Sequence, residues 1–391
     1  MLSQVLVALT LEVDMEFERR IREAGHPGSA LSLVVWSNLL RFLADGSVPV
    51  RQLTALALAP EAQVRFELGC LERWGFVTLR AESGDDRPIR TRIHTRAGRV
   101  LRDGWGSARG IRSNWLVDLT AKGRKAIAIW CSLPGEIEER WQARFGNDRI
   151  AGLRSSLNEV LGLIDLQLPF GLPPYWDGEL EYPVRSSRPD EQPPLSVLLS
   201  QLLVVFTMEF NRESRVPLIL CANTLRVLGE QPIAEADLPR LTGVSPEMCG
   251  IGWRIRPHVT VAPAPSGRGR VVSLTDRGRQ IQGAYHELAG AIERRWATRF
   301  EKRQILRLIE SLRELFVARS GARLSLSEGL IPPAGTLRAG AEAPGLGSRE
   351  MGAAARRRVR DRVTQTERFV SDPAGSLPHY PAWDMNRGFG P

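Results

Sequence analysis

The sequence LTAKGR at residues 119–124 returns as LTDRGR at residues 274–279. At the same distance downstream, IEERWQARF (137–145) is matched by IERRWATRF (292–300). Two such matches in one register do not arise by chance, so this part of the chain is present in two copies.

The duplication extends towards the N-terminal end of each copy. MEFER at 15–19 is matched by MEFNR at 208–212, and NLLRFL at 38–43 by NTLRVL at 223–228, in the same chain order. The repeated unit is therefore a whole domain of about 120 to 165 residues, well above the roughly 20 to 50 residues of a solenoid repeat. Two copies in one chain can place two equivalent surfaces about a pseudo-two-fold axis, as the two chains of a homodimer do.

The composition is that of an ordinary globular protein, with 391 residues of which 43% are hydrophobic and 25% charged. No apolar run approaches the length of a membrane span, and the start of the chain, MLSQ, lacks the basic residues and cleavage site of a signal peptide. We therefore predict a cytoplasmic protein with no membrane partner.

The charge is strongly positive, with a net value of +9 and a pI near 10.1. A positive protein attracts polyanions such as nucleic acid, because its cations replace the counterions of the phosphates. All of the basic residues except Lys122, Lys125 and Lys302 are arginine, a bias that GC-rich coding gives to any protein. The total charge is thus a weak indicator, and the positions of the arginines matter more.

The four cysteines form no CxxC pair and have no histidine at ligand spacing. The sequence therefore indicates neither a metal site nor a disulfide framework, and it predicts no cofactor. Cys70 and Cys131 lie in apolar helical patterns, which predicts buried free thiols. A redox sensor is the alternative.

Hydrophobic periodicity and turn residues predict the elements of the first copy. The predicted helices span 2–24, 31–44 (capped by Ser29), 50–58 and 60–74; strands follow at 76–79 and 115–119, and then two closing helices, 120–146, broken or kinked at Pro134, and 147–166. Helix, turn, helix and hairpin is the order of a winged helix-turn-helix, so this part of the chain is predicted to be mainly α with a small β-hairpin wing.

Changes of composition divide the chain into four parts. They are a first domain at 1–166, a linker rich in Pro, Gly and Ser at 167–194 that packs on a domain surface, a second domain at 195–318 and a basic tail at 319–391. The second domain repeats the order, with helices at 195–213, 216–229, 234–241 and 246–256, a hairpin at 259–274 and two closing helices. The tail is predicted to be disordered, because it has little apolar surface to offset its chain entropy.

The succession LERWGFV (71–77), wing and LTAKGR (119–124) resembles the MarR family of bacterial winged-helix transcriptional regulators. RVVSLTDRG at 270–278 is still closer to that family's junction between wing and helix. The resemblance implies tandem winged helix-turn-helix domains that form a pseudo-dimer within a monomeric chain. The implied joint consists of helices 2–24, 195–213, 148–166 and 301–317.

The resemblance also implies binding of double-stranded DNA and regulation of transcription. In the first copy, the family's reading face falls on Ala62, Gln63, Arg65 and Phe66, where Gln63 suits adenine and Arg65 suits guanine; Glu67 would accept from cytosine or face solvent. Arg80, Arg90 and Arg92 on the wing would lie along phosphates or enter a narrow minor groove. These positions are equally compatible with the solvated polar face of a helix and a solvated wing.

The second copy departs from the family pattern. Its reading helix, 246–256, contains two glycines and few polar groups at reading positions, so it is predicted to hold DNA without base contacts or to have lost DNA binding. The candidate cations are Arg254, Arg256, Arg268 and Arg270.

Regulators of this family commonly respond to small aromatic ligands, so Trp36, Trp130 and Trp141 are candidates to line an effector pocket or are plain core residues. Two other functions remain as alternatives. The first is a winged-helix protein-interaction module that has lost DNA binding. The second is an enzyme, for which Glu12, Asp14 and Glu16 offer carboxylates, although their spacing and the lack of a companion histidine favour a solvated or joint-facing acidic face and no catalysis.

Overall fold

The structure is a computed structural model. It describes residues 1–26, 31–81, 111–172, 182–184, 193–244, 249, 255–316 and 377–381. This part of the chain is mainly helical and carries two small antiparallel sheets.

The first copy runs from a long helix through a small sheet to two closing helices. Its elements are α1 (Leu2–Glu23), α2 (Leu33–Asn38), a 3₁₀ turn (Leu40–Leu43), β1 (Val48–Pro49), α3 (Val50–Ala57), α4 (Glu61–Arg73), β2 (Val77–Arg80), β3 (Leu116–Leu119), α5 (Ala121–Phe145) and α6 (Asn147–Gly162). β3 lies between β1 and β2 and is antiparallel to both. Val77 and Leu79 of β2 are buried while Thr78 is exposed, which is the alternation of a sheet with one face on the core.

The second copy repeats this order. Its elements are α7 (Leu195–Glu213), α8 (Leu218–Asn223), a 3₁₀ turn (Leu225–Val227), β4 (Ile233–Ala234), a 3₁₀ turn (Glu235–Asp237), α9 (Leu238–Thr242), a 3₁₀ turn (Arg256–His258), β5 (Val259–Pro263), β6 (Arg270–Leu274), α10 (Asp276–Arg299) and α11 (Lys302–Glu314). β6 is again the central strand, between β4 and β5. Most of the helix predicted at 246–256 lies outside the described residues, and its last predicted residue, Arg256, belongs to the 3₁₀ turn Arg256–His258.

A tight junction joins the central strand of the first copy to its long helix. Thr120 Oγ1 accepts a hydrogen bond from the Gly123 amide at 3.0 Å, as an N-cap does, and the Thr120 amide donates to the Phe76 carbonyl at 3.0 Å. A β-carbon on Gly123 would lie 2.0 Å from that carbonyl oxygen. Only glycine fits here, because the first turn of α5 rests directly on the chain before β2.

The second copy has the same junction. Thr275 Oγ1 accepts from the Gly278 amide at 3.1 Å, and the Thr275 amide donates to the His258 carbonyl at 3.0 Å. A β-carbon on Gly278 would also lie 2.0 Å from the carbonyl oxygen. The duplication in the sequence is therefore a duplication of local geometry.

The chain divides into two compact units, each assembled from several stretches. The first-copy unit comprises Val13–Arg144, Leu157–Glu209 and Phe389–Pro391, and the second-copy unit comprises Met1–Glu12, Phe145–Ser156 and Phe210–Gly388. Each unit thus takes helical residues from both copies. In the first-copy unit the Leu195 amide of α7 donates to Glu138 Oε2 of α5 at 3.0 Å. In the second-copy unit the hydroxyls of Ser156 in α6 and Ser311 in α11 lie 3.3 Å apart.

The helix predicted at 31–44 is α2 followed by a 3₁₀ turn. Its N-cap is Ser32, whose Oγ accepts from the Val34 amide at 3.4 Å, whereas Ser29 lies outside the described residues. All six residues of α2 are buried, so no change between polar and apolar positions marks where the helix begins.

The long helix α5 corrects two further expectations. α5 continues through Pro134, so the predicted break is wrong, whereas the alternative of a kink stays a prediction. The buried side chains on either side of the proline hold both halves against the core. Ile127, Trp130, Ile137 and Trp141 form this buried face. Cys131 lies on the other side of the helix and is exposed, so the expectation of a buried thiol is wrong there, although it is confirmed for Cys70.

The prediction for the C-terminal tail is wrong for five residues. Leu377–Pro381 pack against the second copy, and Leu377 and Tyr380 are buried. Their apolar side chains were overlooked because they stand alone within a long polar stretch. The rest of 319–391 lies outside the described residues.

Some described residues of the predicted linker are buried. Leu168 and Leu172 are buried, and the Gln167 amide donates to the Pro183 carbonyl at 2.8 Å. The segment therefore packs on the first-copy unit, to which these residues belong.

Candidate nucleic-acid interface

The candidate reading helix is α4, which follows α3 after a short turn. Leu58 ends α3 in the left-handed conformation, with φ of 51°, and Pro60 precedes the first helical residue. Val64, Leu68 and Leu71 form the buried side of α4, since residues three and four apart share one face of a helix. At the start of α4, Glu61 and Ala62 are exposed and Gln63 is half-buried.

Gln63 and Glu67 interact with each other within α4. Gln63 Nε2 donates to Glu67 Oε1 at 3.0 Å, and the Glu67 side chain is buried. Burial raises the pKa of Glu67 to about 8, with the hydrogen bond from Gln63 acting weakly in the opposite direction. The expectation that Glu67 faces solvent or accepts from cytosine is therefore wrong, because its carboxyl group points into the protein one turn after Gln63.

Arg65 and Phe66 are both half-buried. Arg65 Nη2 pairs with Glu61 Oε1 at 2.5 Å, an exposed contact between residues four apart that is worth about 0.3 to 0.5 kcal/mol. The Arg65 Nε group is buried with no hydrogen-bond partner among the described residues. A phosphate or guanine could replace Glu61 at little cost, because the existing ion pair is weak.

On the first hairpin, Arg80 is the one predicted contact residue that the structure describes. Arg80 Nε donates to Asp118 Oδ2 at 2.7 Å and Nη2 to Ser47 Oγ at 3.3 Å. Its charge is thus shared with a neighbouring strand. Arg90 and Arg92 lie outside the described residues.

In the second copy the structure describes Arg256, Arg268 and Arg270, whereas Arg254 lies outside it. Arg270 forms a two-pronged ion pair with Glu235, at 2.6 and 2.7 Å. Arg268 is exposed at the tip of the hairpin, between Gly267 and Gly269, whose positive φ angles close the turn. The Arg256 side chain is exposed as well. Arg256 and Arg268 form no ion pair with the described residues, so both guanidinium groups can meet a phosphate directly.

The tryptophans proposed to line an effector pocket pack as core residues. Trp130 stacks on Phe17 and on Trp36, with ring centroids 4.7 and 5.5 Å apart, and Trp141 is fully buried. Trp36 Nε1 and Trp130 Nε1 have no hydrogen-bond partner among the described residues. An effector with a hydrogen-bond acceptor could satisfy them only if these rings moved.

The acidic residues of α1 hold the fold together. Asp14 Oδ1 accepts from the Leu33 amide at 2.7 Å, and Glu16 binds Arg19 and Arg20 at 2.7 and 2.8 Å. The hydrogen bond from Arg19, together with those from the other arginines, lowers the pKa of Glu16 to about 2 against the effect of burial. Glu12, Asp14 and Glu16 are all buried, so the solvated alternative is wrong, and the joint-facing alternative stays a prediction.

Two asparagines that the sequence did not single out each bind a segment of main chain. Asn38 Nδ2 at the end of α2 donates to the Leu172 carbonyl of the linker at 2.8 Å. Asn223 at the end of α8 donates from Nδ2 to the Tyr380 carbonyl at 2.9 Å, and its Oδ1 accepts from the His379 and Tyr380 amides at 3.0 and 2.9 Å. Asn38 and Asn223 are the first residues of the repeated segments NLLRFL and NTLRVL. This repetition is the sequence signal that could have identified them.

One of the described helices, Leu195–Glu213, is long and apolar enough to cross a membrane by length and composition. The sequence analysis expected no apolar segment of the length of a membrane span, and this helix corrects that expectation. Its Ser, Gln and Thr residues interrupt the apolar run, but the helix is apolar on average. Since 72% of its most apolar window is buried inside the protein, it has the surroundings of a core helix. Within the described part of the chain, no group of His, Cys, Asp and Glu residues could hold a metal ion.

Comparison of the chain with protein-family models, with curated proteins and with solved structures finds no match.

Proposed function

We propose that the chain is a sequence-specific regulator of transcription that binds double-stranded DNA through MarR-like winged helix-turn-helix domains. The observation that carries the proposal is the succession of α3, turn, α4 and three-stranded sheet, seated on the Thr120–Gly123 junction. A helix whose first residues are exposed can enter the major groove, and a neighbouring hairpin with arginines can meet phosphates.

The second copy would bind DNA mainly by contacts to the phosphates of the DNA backbone. It shares the sheet order and the junction of the first copy, and Arg256 and Arg268 are exposed. Phosphate contacts carry affinity without base preference.

The proposed pseudo-dimer is supported by the way each unit takes helices from both copies. Glu138 of α5 binds the start of α7, and Ser156 of α6 meets Ser311 of α11. α6, α7 and α11 lie within the joint that the family resemblance implies, and α5 directly precedes α6. We expect the purified chain to be monomeric, and light scattering at micromolar concentration that gives mainly twice the chain mass would contradict the pseudo-dimer.

Selection of bound fragments from the protein's own genome tests the DNA proposal. With the selected site, the double variant Gln63→Ala and Arg65→Ala should lose about 1 to 3 kcal/mol per base contact and relax its sequence preference. Arg268→Ala should weaken binding to selected and random DNA alike. Absence of any enriched fragment, with the fold intact by circular dichroism, would reject the proposal.

A winged-helix protein-interaction module is the second candidate. The observation in its favour is that Gln63 and Arg65 are both engaged within α4, by Glu67 and Glu61. Under this alternative, the selection enriches no DNA fragment. Neither the Gln63 and Arg65 double variant nor Arg268→Ala then differs from the unchanged protein in its interaction with DNA. A small aromatic effector remains a prediction for either function, and quenching of tryptophan fluorescence by a phenolic ligand would test it.

A further inference from the structure

The Asn223 site recognises a peptide by its main chain. The side-chain amide of Asn223 binds both the N–H and the C=O of Tyr380, and also the N–H of His379. An amide has one acceptor and two donor hydrogens in its side chain, so three bonds to one short segment use most of its capacity. Main-chain bonds of this kind give affinity, while neighbouring pockets give specificity.

Two apolar anchors and a notch supply that specificity. Leu377 and Tyr380 are 3% and 4% exposed. Pro378 packs on Gly243, where a β-carbon would lie 2.8 Å from the proline Cδ. Gly243 ends α9 with φ of 74°. The first copy has Leu58 at the equivalent end of α3, so only the second copy leaves this notch open.

The site also excludes charge. Burial, together with the nearby Arg226, lowers the pKa of His379 to about 4. His379 is therefore neutral at physiological pH, and the bound segment, Leu-Pro-His-Tyr-Pro, carries no charged side chain. A segment with an added cation would have to approach Arg226.

The bound segment lies far along the chain from the site that binds it. Residues 317–376 separate it from the last described residues after α11. In the first copy, by contrast, the segment held by Asn38 follows α6 after residues 163–171. The described contacts that hold Leu377–Pro381 include those with Asn223 and Gly243.

We propose that Asn223 and Gly243 form a binding site for an extended, uncharged, proline-containing peptide, whose ligand is the chain's own segment Leu377–Pro381, which leaves and rebinds as a separable element. The same segment would bind as a free peptide once it is cut from the chain. This site does not depend on DNA binding, so its test and that of the proposed function can fail separately.

The test uses the full chain with a site-specific protease sequence in place of residues 345–350. The folded protein is cut, and retention of the C-terminal fragment is followed by analytical ultracentrifugation on dilution. A labelled synthetic peptide of residues 374–384 is then titrated into the protein from which the fragment has been displaced. We expect most of the fragment to stay bound at tens of micromolar, with a Kd of roughly 1 to 10 µM.

Matched variants separate the site from general effects on folding. Asn223→Ala removes the three hydrogen bonds, and Gly243→Ala places a methyl group against Pro378; each should weaken binding by about tenfold or more. Asn38→Ala acts on the equivalent asparagine of the first copy, and Gly267→Ala has nearly the same positive φ but open space around it. Both controls should bind as the unchanged protein does.

A change in the ligand keeps the test independent of how the variants fold. A peptide with an N-methyl group on the Tyr380 amide cannot donate to Asn223 and should bind at least about tenfold more weakly to unchanged protein. Loss of the fragment from unchanged protein at 100 µM, or equal binding of the methylated and unmethylated peptides, would overturn the proposal.

Discussion

Halfway along the helix that follows the junction, the first copy carries Trp130 and the second carries Tyr285. Trp130 is fully buried and stacks on Phe17, with ring planes 18° apart. Tyr285 is half-buried and meets Phe210, the counterpart of Phe17, edge-on with centroids 5.8 Å apart. The two copies share the position of the ring pair and differ in its geometry.

A third side chain accounts for the difference. Trp36 also stacks on Trp130 in the first copy, whereas the equivalent position in the second copy is Cys221. Three large rings fill the space best when they lie parallel, but a small thiol leaves room for the edge-on arrangement that aromatic pairs also favour. The duplicated scaffold therefore fixes where side chains meet, and their neighbours decide how.

Truncating the two rings should separate the copies most strongly. Trp130→Ala should cost about 3 to 5 kcal/mol of unfolding free energy, because it leaves a cavity in a closed stack. Tyr285→Ala should cost less than half as much, since its ring is already partly in water. Denaturant unfolding of both variants measures the difference, and equal losses would show that the second copy is packed as tightly as the first.

The glycines of the two junctions should behave alike. Gly123→Ala and Gly278→Ala each force a methyl group into a carbonyl oxygen, and each should cost about 3 kcal/mol or more. The matched controls are Gly135→Ala in α5 and Gly283→Ala in α10, which meet nothing within 4 Å and should stabilise by about 0.5 to 1 kcal/mol. Thermal unfolding that shows a large loss for only one junction would break the equivalence of the copies.

Glu67 lies buried in α4 of the first copy and should give the stability of that copy a pH dependence of its own. Its pKa is raised to about 8 in the folded protein, so between its unfolded pKa of about 4.5 and pH 8 the folded state holds a proton that the unfolded state has lost. Stability should therefore fall as the pH rises, by about 2 to 3 kcal/mol between pH 5 and pH 7. Glu67→Gln should remove that slope, whereas Glu139→Gln at an exposed site should retain it.

The smallest effect is expected at the two threonine caps. Thr120→Ala and Thr275→Ala each remove an N-cap and should each cost about 1 kcal/mol. Thr120 also donates to the Gly75 carbonyl at 2.6 Å, and Thr275 to the Pro257 carbonyl at 3.2 Å. The loss at Thr120 should be slightly the larger, because its bond is the shorter. Calorimetry on the two variants measures these losses, with Thr298→Ala in the exposed part of α10 as control. If neither variant loses stability, other contacts hold the junctions.

The fold followed from the sequence where the signal was local. The LT-x-x-GR repeat predicted both starts of the long helices, and Gly75 predicted the end of α4, because capping and turn chemistry depend on a few neighbouring residues. The burial of Glu67 did not follow, since a carboxylate on a helix is usually solvated and only the tertiary packing of α4 removes it from water.

The sequence predicted which helix and hairpin carry the candidate site, but it did not predict the side-chain contacts within the site. The sequence predicted Arg65 and Arg80 as cations that contact DNA. Their ion pairs with Glu61 and Asp118 depend on side-chain geometry, which residue spacing does not determine. The peptide bound by Asn223 was missed for another reason. It comes from residues more than 150 positions away, and no periodic pattern marks it.

The composition of the second-copy unit also has a consequence for synthesis of the protein. Met1–Glu12 belong to this unit together with residues from Phe210 onward, and Val5, Leu6 and Leu9 are buried there. At about 5 to 20 residues per second, a ribosome needs roughly 10 to 40 s to make the intervening chain. During that interval the apolar start of α1 has no partner from the second copy, so a nascent chain offers a hydrophobic segment to chaperones until the far end of the polypeptide emerges.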